Sequence, residues 1–413
     1  PLGCALVTGT NGKTTTSALL ASGLDRAGML PVHNRTGANL MTGIASALIR
    51  ESDFRGEMAA RIGLFEVDEA TLPAAIDETS PRLVLVNNLF RDQLDRFGEL
   101  DILAAKMKKA IATLAPSSVV ALNADDPLVA SIGSGIGQEV AYFGIDDRSC
   151  SGGAMQHASD SKHCPGCGGR LTYDYYLFGH LGGYRCEGCG SSRPEPSVAA
   201  TEVRMVGMEG SRCRVRYPGG EAGFFIPLPG LYNVYNVLAA ITSAIALGAE
   251  PVTVVSAVEE FTAAFGRVER VSVEGKDLLM ILAKNPAGFN EVIRTLCSGK
   301  ERRSLVLALN DNTGDGRDVS WIWDVDFEML RGRLENVVCT GTRAWDMALR
   351  IKHAQVMETS LITEPDPGKA LGIALGLIGR TETLYVIPTY SAMLDLRGRL
   401  AKGGLVSRFW EER

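Results

Sequence analysis

Val7-Thr8-Gly9-Thr10-Asn11-Gly12-Lys13-Thr14-Thr15-Thr16 is the stretch that decides the reading of this chain. A short apolar run, Ala5-Leu6-Val7, enters it as a buried strand would, and a helix-like run from Ser17 to Leu24 leaves it. A strand, a glycine turn and a Lys-Thr pair at a helix start make a phosphate cradle. Gly9 and Gly12 let backbone N–H groups reach phosphate oxygens with no Cβ in the way. Lys13 suits the β- and γ-phosphates, and the Thr14 hydroxyl is placed for Mg²⁺. The alternative is an ordinary glycine turn before a helix. A strict G-x-x-x-x-G-K-[ST] pattern is not met, because Val7 stands where its first glycine belongs.

Working outward, apolar runs alternate with helix-like stretches. Strands are predicted at Cys4–Val7, Gly63–Glu66, Leu83–Val86, Val119–Leu122 and Val140–Phe143. This is βαβ rhythm and predicts a parallel, doubly wound sheet. It breaks between about Cys150 and Pro196, in a segment rich in Gly, Ser, Tyr and Cys that reads as an insertion. Patterning returns at Ala199–Tyr217, and an Ala-rich helix is predicted over Asn236–Leu247. Phe261–Glu269 reads as a hinge. A second α/β rhythm follows, with strands predicted at Leu278–Leu282, Leu305–Leu309, Val337–Thr340 and Leu384–Ile387. The domains expected are 1–265 with an insertion at 150–196, and 266–413.

Composition bounds the rest. The 413 residues suit two or three domains, and 46% hydrophobic with 22% charged content is ordinary for a globular chain. A net charge of −6 argues against nucleic acid as the main partner. No apolar run reaches the roughly 18 residues of a membrane span. No signal peptide is expected, since residue 1 stands beside the first strand, and that abrupt start suggests a preceding segment. The nine cysteines read as reduced thiols plus a metal site.

Four of them carry a specific signal. Cys164-Pro165-Gly166-Cys167 and Cys186-Glu187-Gly188-Cys189 give the spacing C-x2-C-x18-C-x2-C. Two such knuckles build a tetrahedral S4 site, so a structural Zn²⁺ is expected, with no open position for catalysis. A redox pair of disulfides is the alternative. His157, His163 and His180 nearby are read as incidental surface residues.

Three acids fall within four residues in Glu66-Val67-Asp68-Glu69, at the end of a predicted strand. Mg²⁺ takes oxygen ligands, which makes Glu66 a candidate against a solvated acidic loop. Asn87 to Gly98 and Leu122-Asn123-Ala124-Asp125-Asp126-Pro127 are polar loops at strand ends. Each suits a ligand cleft or plain surface. In the C-terminal part, Lys284-Asn285-Pro286 and Asn310 to Asp324 follow strands in the same way. Calcium on Asp311, Asp315 and Asp318 is a bland reading, weakened by the lack of an EF-hand glutamate.

Taken in order, G-T-N-G-K-T-T, E-V-D-E, N-x-F-R-D-Q-L-D-R-F-G-E, L-N-A-D-D-P and L-P-G-x-x-N-V-x-N-x-L-A-A resemble the central ATPase domain of the Mur ligase family. The resemblance implies ATP binding by Gly9, Thr10, Asn11, Gly12, Lys13, Thr14 and Thr15, with Asn233 and Asn236 near the nucleotide. It implies Mg²⁺ on Thr14 and Glu66, with Lys13 and Glu66 in catalytic roles. Arg267, in Phe265-Gly266-Arg267-Val268-Glu269, matches the hinge arginine that positions ATP. Two positions depart from the pattern. Gln93 stands where these ligases carry His, and Lys106, nearest to their carbamylated lysine, is imperfectly spaced.

The Cys4 ribbon and the C-terminal signatures resemble the MurT family, synthetase subunits of lipid II isoglutaminyl synthase. The fold implied is a Mur ligase central domain with a doubly wound sheet, an inserted zinc ribbon and a Rossmann-like C-terminal domain. The activity implied is ATP-dependent amidation of D-glutamate in the lipid II stem peptide, through an acyl phosphate, at the inner face of the plasma membrane. Ammonia would come from a GatD-like class I glutaminase partner. Consistent with that, no cysteine here has the G-x-C-x-G setting of a glutaminase; Cys297, in Leu296-Cys297-Ser298-Gly299, lacks the first glycine. The resemblance assigns Asp318 to the partner's active site, orienting its catalytic His; a cap on the turn at Ser320 is the alternative. A ligase adding an amino acid, as folylpolyglutamate-type enzymes do, and a non-catalytic nucleotide-binding subunit are the rival readings.

Overall fold

Cys4–Thr8 is buried at every position, as a strand covered on both faces of a parallel sheet must be. It forms β1 of a computed structural model that describes residues 2–34, 38–91, 100–152, 161–261, 268–299, 301–356 and 360–406. The chain divides into two units, 1–262 and 263–413.

In the first unit β1 leads through α1 (Lys13–Arg26), β2 (Pro31–His33) and α2 (Met41–Glu51) to β3 (Ile62–Glu66). Then come α3 (Leu72–Thr79), β4 (Leu83–Val86), α4 (Leu100–Ile111), β5 (Val119–Asn123), α5 (Pro127–Ile132) and β6 (Glu139–Ile145). These six strands are parallel, in the order β6-β5-β4-β1-β3-β2. The chain winds from β1 out to β2 and β3, then crosses to β4 on the other side. The crevice at this reversal opens beyond the C-terminal ends of β1, β3 and β4, where α/β sheets place ligands. The sheet is doubly wound, as the sequence predicts.

Its far side differs from expectation. The Ala199–Tyr217 patterning resolves into β9 (Val198–Val206) and β10 (Gly210–Tyr217), followed by β11 (Gly220–Ile226). These three form an antiparallel meander, and β9 pairs in parallel with β6. The insertion, with its hairpin of β7 (Leu171–Phe178) and β8 (Leu181–Cys186), therefore occupies the crossover between β6 and β9. The predicted Ala-rich helix begins five residues earlier, as α6 (Leu231–Ala246), and α7 (Pro251–Glu259) follows. Gly230 precedes α6 at φ 93°, a backbone that favours glycine and marks the true start. α6 is buried along nearly its whole length and packs on α1 and β6.

The second unit begins within the stretch expected to be a hinge. Val268 and Glu269, read as hinge, lie in β12 (Val268–Val273), which pairs antiparallel with β13 (Lys276–Ile281). The chain continues through α8 (Pro286–Leu296), β14 (Arg303–Ala308), β15 (Leu334–Thr340) and α9 (Ala344–His353). It ends with β16 (Ser360–Thr363), α10 (Pro367–Leu377), β17 (Thr383–Pro388) and α11 (Tyr390–Lys402). The sheet order is β12-β13-β17-β14-β15-β16, all parallel beyond β12. Val306, Val338, Leu384 and Val386 pack beneath Leu371, Met393 and Leu396 from α10 and α11. Between β14 and β15 the crossover holds two 3-10 turns, Ser320–Asp324 and Phe327–Leu330.

Candidate nucleotide site and Cys4 cluster

The phosphate loop runs from the end of β1 into α1, and its two glycines are required by close approach. At Gly9 (φ 130°) a Cβ would stand 2.9 Å from the backbone N and O of Asn88. At Gly12 (φ 84°) it would stand 2.0 Å from Asn236 Oδ1. Neither position leaves room for a side chain. The loop is tied down from behind. Thr10 N donates to the Asn88 carbonyl (3.0 Å), and Asn11 N donates to Asn88 Oδ1 (2.8 Å). The Thr10 hydroxyl both accepts from Phe90 N (3.0 Å) and donates to the Phe90 carbonyl (3.1 Å). Asn87 Nδ2 donates to Asn236 Oδ1 (2.9 Å), and Asn236 Nδ2 to Asn233 Oδ1 (3.0 Å). Asn233 and Asn236 are thus placed as buried braces of the loop.

Lys13 Nζ donates to the Gly9 carbonyl (2.6 Å) and pairs with Glu69 Oε2 at 3.1 Å. Lys13, Thr14 and Thr15 form the first turn of α1, whose N–H groups and dipole favour an anion. Glu66 ends β3 and is 2% exposed. Asn34 pins its backbone, accepting from Glu66 N and donating to its carbonyl, both at 2.8 Å. Its carboxylate Oε2 is buried and has no hydrogen-bond partner among the described residues. A buried carboxylate oxygen without a donor costs desolvation energy that a hard cation would offset. With the Thr14 hydroxyl in the adjoining helix turn, this donor set fits Mg²⁺.

Sequence reasoning missed Glu69, Asn34 and Phe90. Glu69 belongs to the same acidic run as Glu66, but nothing in spacing says which acid meets Lys13. The L-N-A-D-D-P turn proves structural. Asp126 caps α5, accepting from Leu128 N (3.0 Å) and Val129 N (3.2 Å), and its Oδ2 accepts from Leu89 N (2.9 Å). Asp125 is fully buried, ion-paired with Arg193, and accepts from Tyr235 Oη (2.6 Å). Burial pushes its carboxyl up, and the Arg193 charge opposes that. Lys106 lies on the exposed side of α4. Gln93, His157 and Arg267 lie outside the described residues.

In the insertion the sulfurs of Cys164, Cys167, Cys186 and Cys189 all lie within 4.8 Å of one another. Cys164–Cys189 is 3.7 Å and Cys167–Cys186 is 3.4 Å. A tetrahedron with Zn–S of about 2.3 Å has S···S edges of about 3.8 Å. A disulfide would need about 2.05 Å, and all nine cysteines are free thiols. Backbone N–H groups of Gly169 (3.4 Å to Cys167 Sγ) and Gly188 (3.3 Å to Cys186 Sγ) stabilise thiolate character. Hydrogen bonds from Ser191 draw Cys189 down to about 6. The four residues fit a closed Zn²⁺ site. His163 is exposed, as expected, but His180 is not a surface residue. It is fully buried at the turn between β7 and β8, 3.4 Å from Asp126 Oδ2 and with its ring 4.6 Å from that of Phe90. The insertion presses its hairpin tip into the sheet domain, which no spacing rule reveals.

In the second unit Asn285 caps α8 through Gly288 N (2.9 Å). Asn310, at the end of β14, accepts from Thr342 N (2.9 Å) and donates to Ser391 Oγ (3.0 Å). The calcium reading fails. Asp315 is buried and bonded to Ser391, Asp311 accepts from Thr342 Oγ1 (2.8 Å), and Asp318 stands apart. Among the described residues only the four cysteines form a cluster of three or more His, Cys, Asp or Glu side chains close enough to share one metal ion, and none of these aspartates belongs to such a cluster. Asp318 is exposed and accepts from Ser320 N at 2.8 Å. That hydrogen bond lowers its carboxyl below the usual range, so it carries its charge at neutral pH.

Comparison with known proteins shows the family and the fold. Residues 7–180 match the family model of the Mur ligase middle domain, and residues 282–393 match that of the MurT ligase C-terminal region. The lipid II isoglutaminyl synthase (glutamine-hydrolyzing) subunit MurT of Staphylococcus aureus (strain COL) is 33% identical over 399 residues, 96% of this chain and 88% of that protein. The subunit of the same name from Streptococcus pneumoniae (strain ATCC BAA-255 / R6) is 33% identical over 98% of this chain and 88% of its own length. The solved pseudomurein peptide ligase type C from Methanothermus fervidus shares the fold, with a TM-score of 0.74 at 21% identity over 97% of this chain and 78% of that one.

Proposed function

This chain belongs to the MurT family of Mur-type ligases, and we propose that it is the ATP-dependent synthetase subunit of a lipid II isoglutaminyl synthase. In this reading an α-carboxylate oxygen of the stem-peptide D-glutamate attacks the γ-phosphorus of ATP. ADP leaves and an acyl phosphate forms. Ammonia then attacks the carbonyl carbon, phosphate departs, and a proton is lost, leaving D-isoglutamine. Phosphorylation is needed because phosphate is a far better leaving group than a carboxylate oxygen.

The observation that carries the reading is the pairing of a glycine-shaped phosphate loop with the unpartnered Oε2 of Glu66, in a chain 33% identical to MurT subunits over nearly its full length. Lys13 would exchange Glu69 for phosphate oxygens and stabilise their developing charge. Mg²⁺, held by Glu66 and Thr14, would neutralise the phosphates. Asn233 and Asn236 would act on the nucleotide by shaping the loop; the family resemblance alone supports an ATP-positioning role for Arg267.

The ammonia source would be a GatD-like class I glutaminase, with Asp318 completing the partner's triad. An exposed, ionised aspartate suits that role. An apolar stripe in the same unit supports a docking surface: Trp345 (68% exposed) and Leu349 lie one turn apart on α9. Trp323 extends it, stacking edge-on to His353 at 5.4 Å. The family resemblance supports a meeting with the lipid-linked substrate at the membrane's inner face; among the described residues no helix is long and apolar enough to cross a membrane.

The test is to co-purify the chain with candidate glutaminases and follow lipid II by mass spectrometry with glutamine, ammonium or free amino acids as nucleophile. Mass gain from an amino acid would favour the folylpolyglutamate-type reading. Absence of ATP turnover would favour a non-catalytic subunit.

A further inference from the structure

The tip of the inserted hairpin reaches the back of the phosphate loop. Phe178 and His180 flank the turn between β7 and β8, and both are buried. Both rings pack against Phe90, at 5.7 Å (Phe178, stacked) and 4.6 Å (His180, tilted). Gly179 (φ 57°) lies so close that a Cβ there would stand 2.8 Å from Phe90 Cε1. The backbone of that same Phe90 exchanges two hydrogen bonds with the Thr10 hydroxyl. The neighbouring residue, Leu89, donates to Asp126, and Asp126 in turn faces His180. Gly182 N adds a 3.0 Å bond to the Asp125 carbonyl, and Phe178 packs edge-on against Tyr235 at 5.6 Å. The segment Asn87–Phe90 is thus clamped between the loop it shapes and the ribbon behind it.

We propose that Phe178 and His180 are positioning residues for the nucleotide site. The Cys4 ribbon acts through them and Phe90 to hold Thr10 and Asn11 in the conformation that receives phosphate. A ribbon serving stability alone needs its own core of Leu171, Tyr184, Cys164 and Cys186, but not an aromatic clamp on the residue whose backbone binds the Thr10 hydroxyl. Burying a rigid ring pair behind the loop restricts its alternative conformations, and a preorganised anion site binds more tightly than one that must be ordered on binding. The consequence is that ribbon integrity sets ATP affinity.

The inference rests on the assignment of nucleotide phosphates to Gly9–Thr14, so two readouts are needed. Phe178→Leu and Phe178→Ala are compared with wild type at a temperature where circular dichroism shows all three folded. Zinc content must match in the three proteins. Amide hydrogen exchange over residues 8–14 reads the loop without nucleotide. It is expected to quicken in Phe178→Ala, less in Phe178→Leu, while β5 stays protected. Calorimetric titration with Mg·ATP is expected to show affinity falling about tenfold in Phe178→Ala, the loss equivalent to one aromatic contact. Unchanged exchange over 8–14 with a lowered melting temperature would overturn the proposal, leaving the hairpin a stabiliser only. If the loop loosens but wild type itself binds no nucleotide, the clamp stands and the phosphate assignment falls.

Discussion

Lys13 and Glu69 form a buried ion pair: Nζ lies 3.1 Å from Oε2, and both side chains are under 10% exposed. The pair holds the loop's cation against the Gly9 carbonyl. A buried charge left without its partner costs about 3–5 kcal/mol, so the carboxylate stabilises the loop where no phosphate is present.

Glu69→Gln should therefore lower the melting temperature of the free protein. The same change removes a competitor for Lys13, so Mg·ATP should raise the variant's melting temperature by more than it raises the wild type's. Thermal scans with and without nucleotide decide this. A smaller nucleotide-induced shift in the variant would place Glu69 on the metal side of the site.

Lys13→Ala should abolish amidation even with ammonium salt supplied, because transferring phosphate charge goes uncompensated. Glu66→Gln keeps the shape of the side chain but not its charge. Its half-saturating Mg²⁺ concentration should rise by about tenfold or more. Wild-type-like ammonium-driven rates in Lys13→Ala, or an unmoved Mg²⁺ curve in Glu66→Gln, would refute the assigned roles.

Elemental analysis should find about one Zn²⁺ per chain, as a single S4 site implies. Cys164 is buried, and Cys164→Ser should cost solubility and ribbon structure more than the chemistry of any step. Stripping the metal with a chelator should lower the melting temperature. A metal-free protein of unchanged stability would remove the zinc assignment.

Asp318→Asn should separate the two nitrogen sources. Asparagine cannot stabilise an imidazolium, and loss of a triad acid costs ~10⁴-fold in rate. Glutamine-driven amidation should collapse while ammonium-driven amidation and partner binding persist. The bond from Ser320 N also fits a simple cap, worth about 1 kcal/mol. In that case both rates should fall together, so the ratio of the two rates is the measurement that chooses.

Much of this molecule was legible in local pattern. Cys4–Val7 before a glycine loop, the strand rhythm through Val140, and the two Cys-x-x-Cys knuckles each depend on neighbours in sequence. Covered parallel strands are apolar throughout, and a tight turn that presents two thiolates needs fixed spacing. Short or half-exposed strands such as β2 and β16 escaped, because three or four residues carry too little periodicity. Glu269 reads as hinge in the sequence because its pairing with Met280 is invisible locally.

What the sequence determined alone was the inventory: a phosphate loop, an acidic strand end, an S4 metal set, and the order of two α/β units. Tertiary structure decided the assignments within it. Of Glu66, Asp68 and Glu69, only the packing of β1 beside β3 sets Glu69 on Lys13 and leaves Glu66 Oε2 without a donor. Asn236 is 220 positions from Thr16, yet its amide closes the loop. His180 became a core residue only because the crossover from β6 to β9 folds the hairpin back onto Phe90. Contacts of that sequence separation follow from which elements share a crevice, and that is a property of the sheet order.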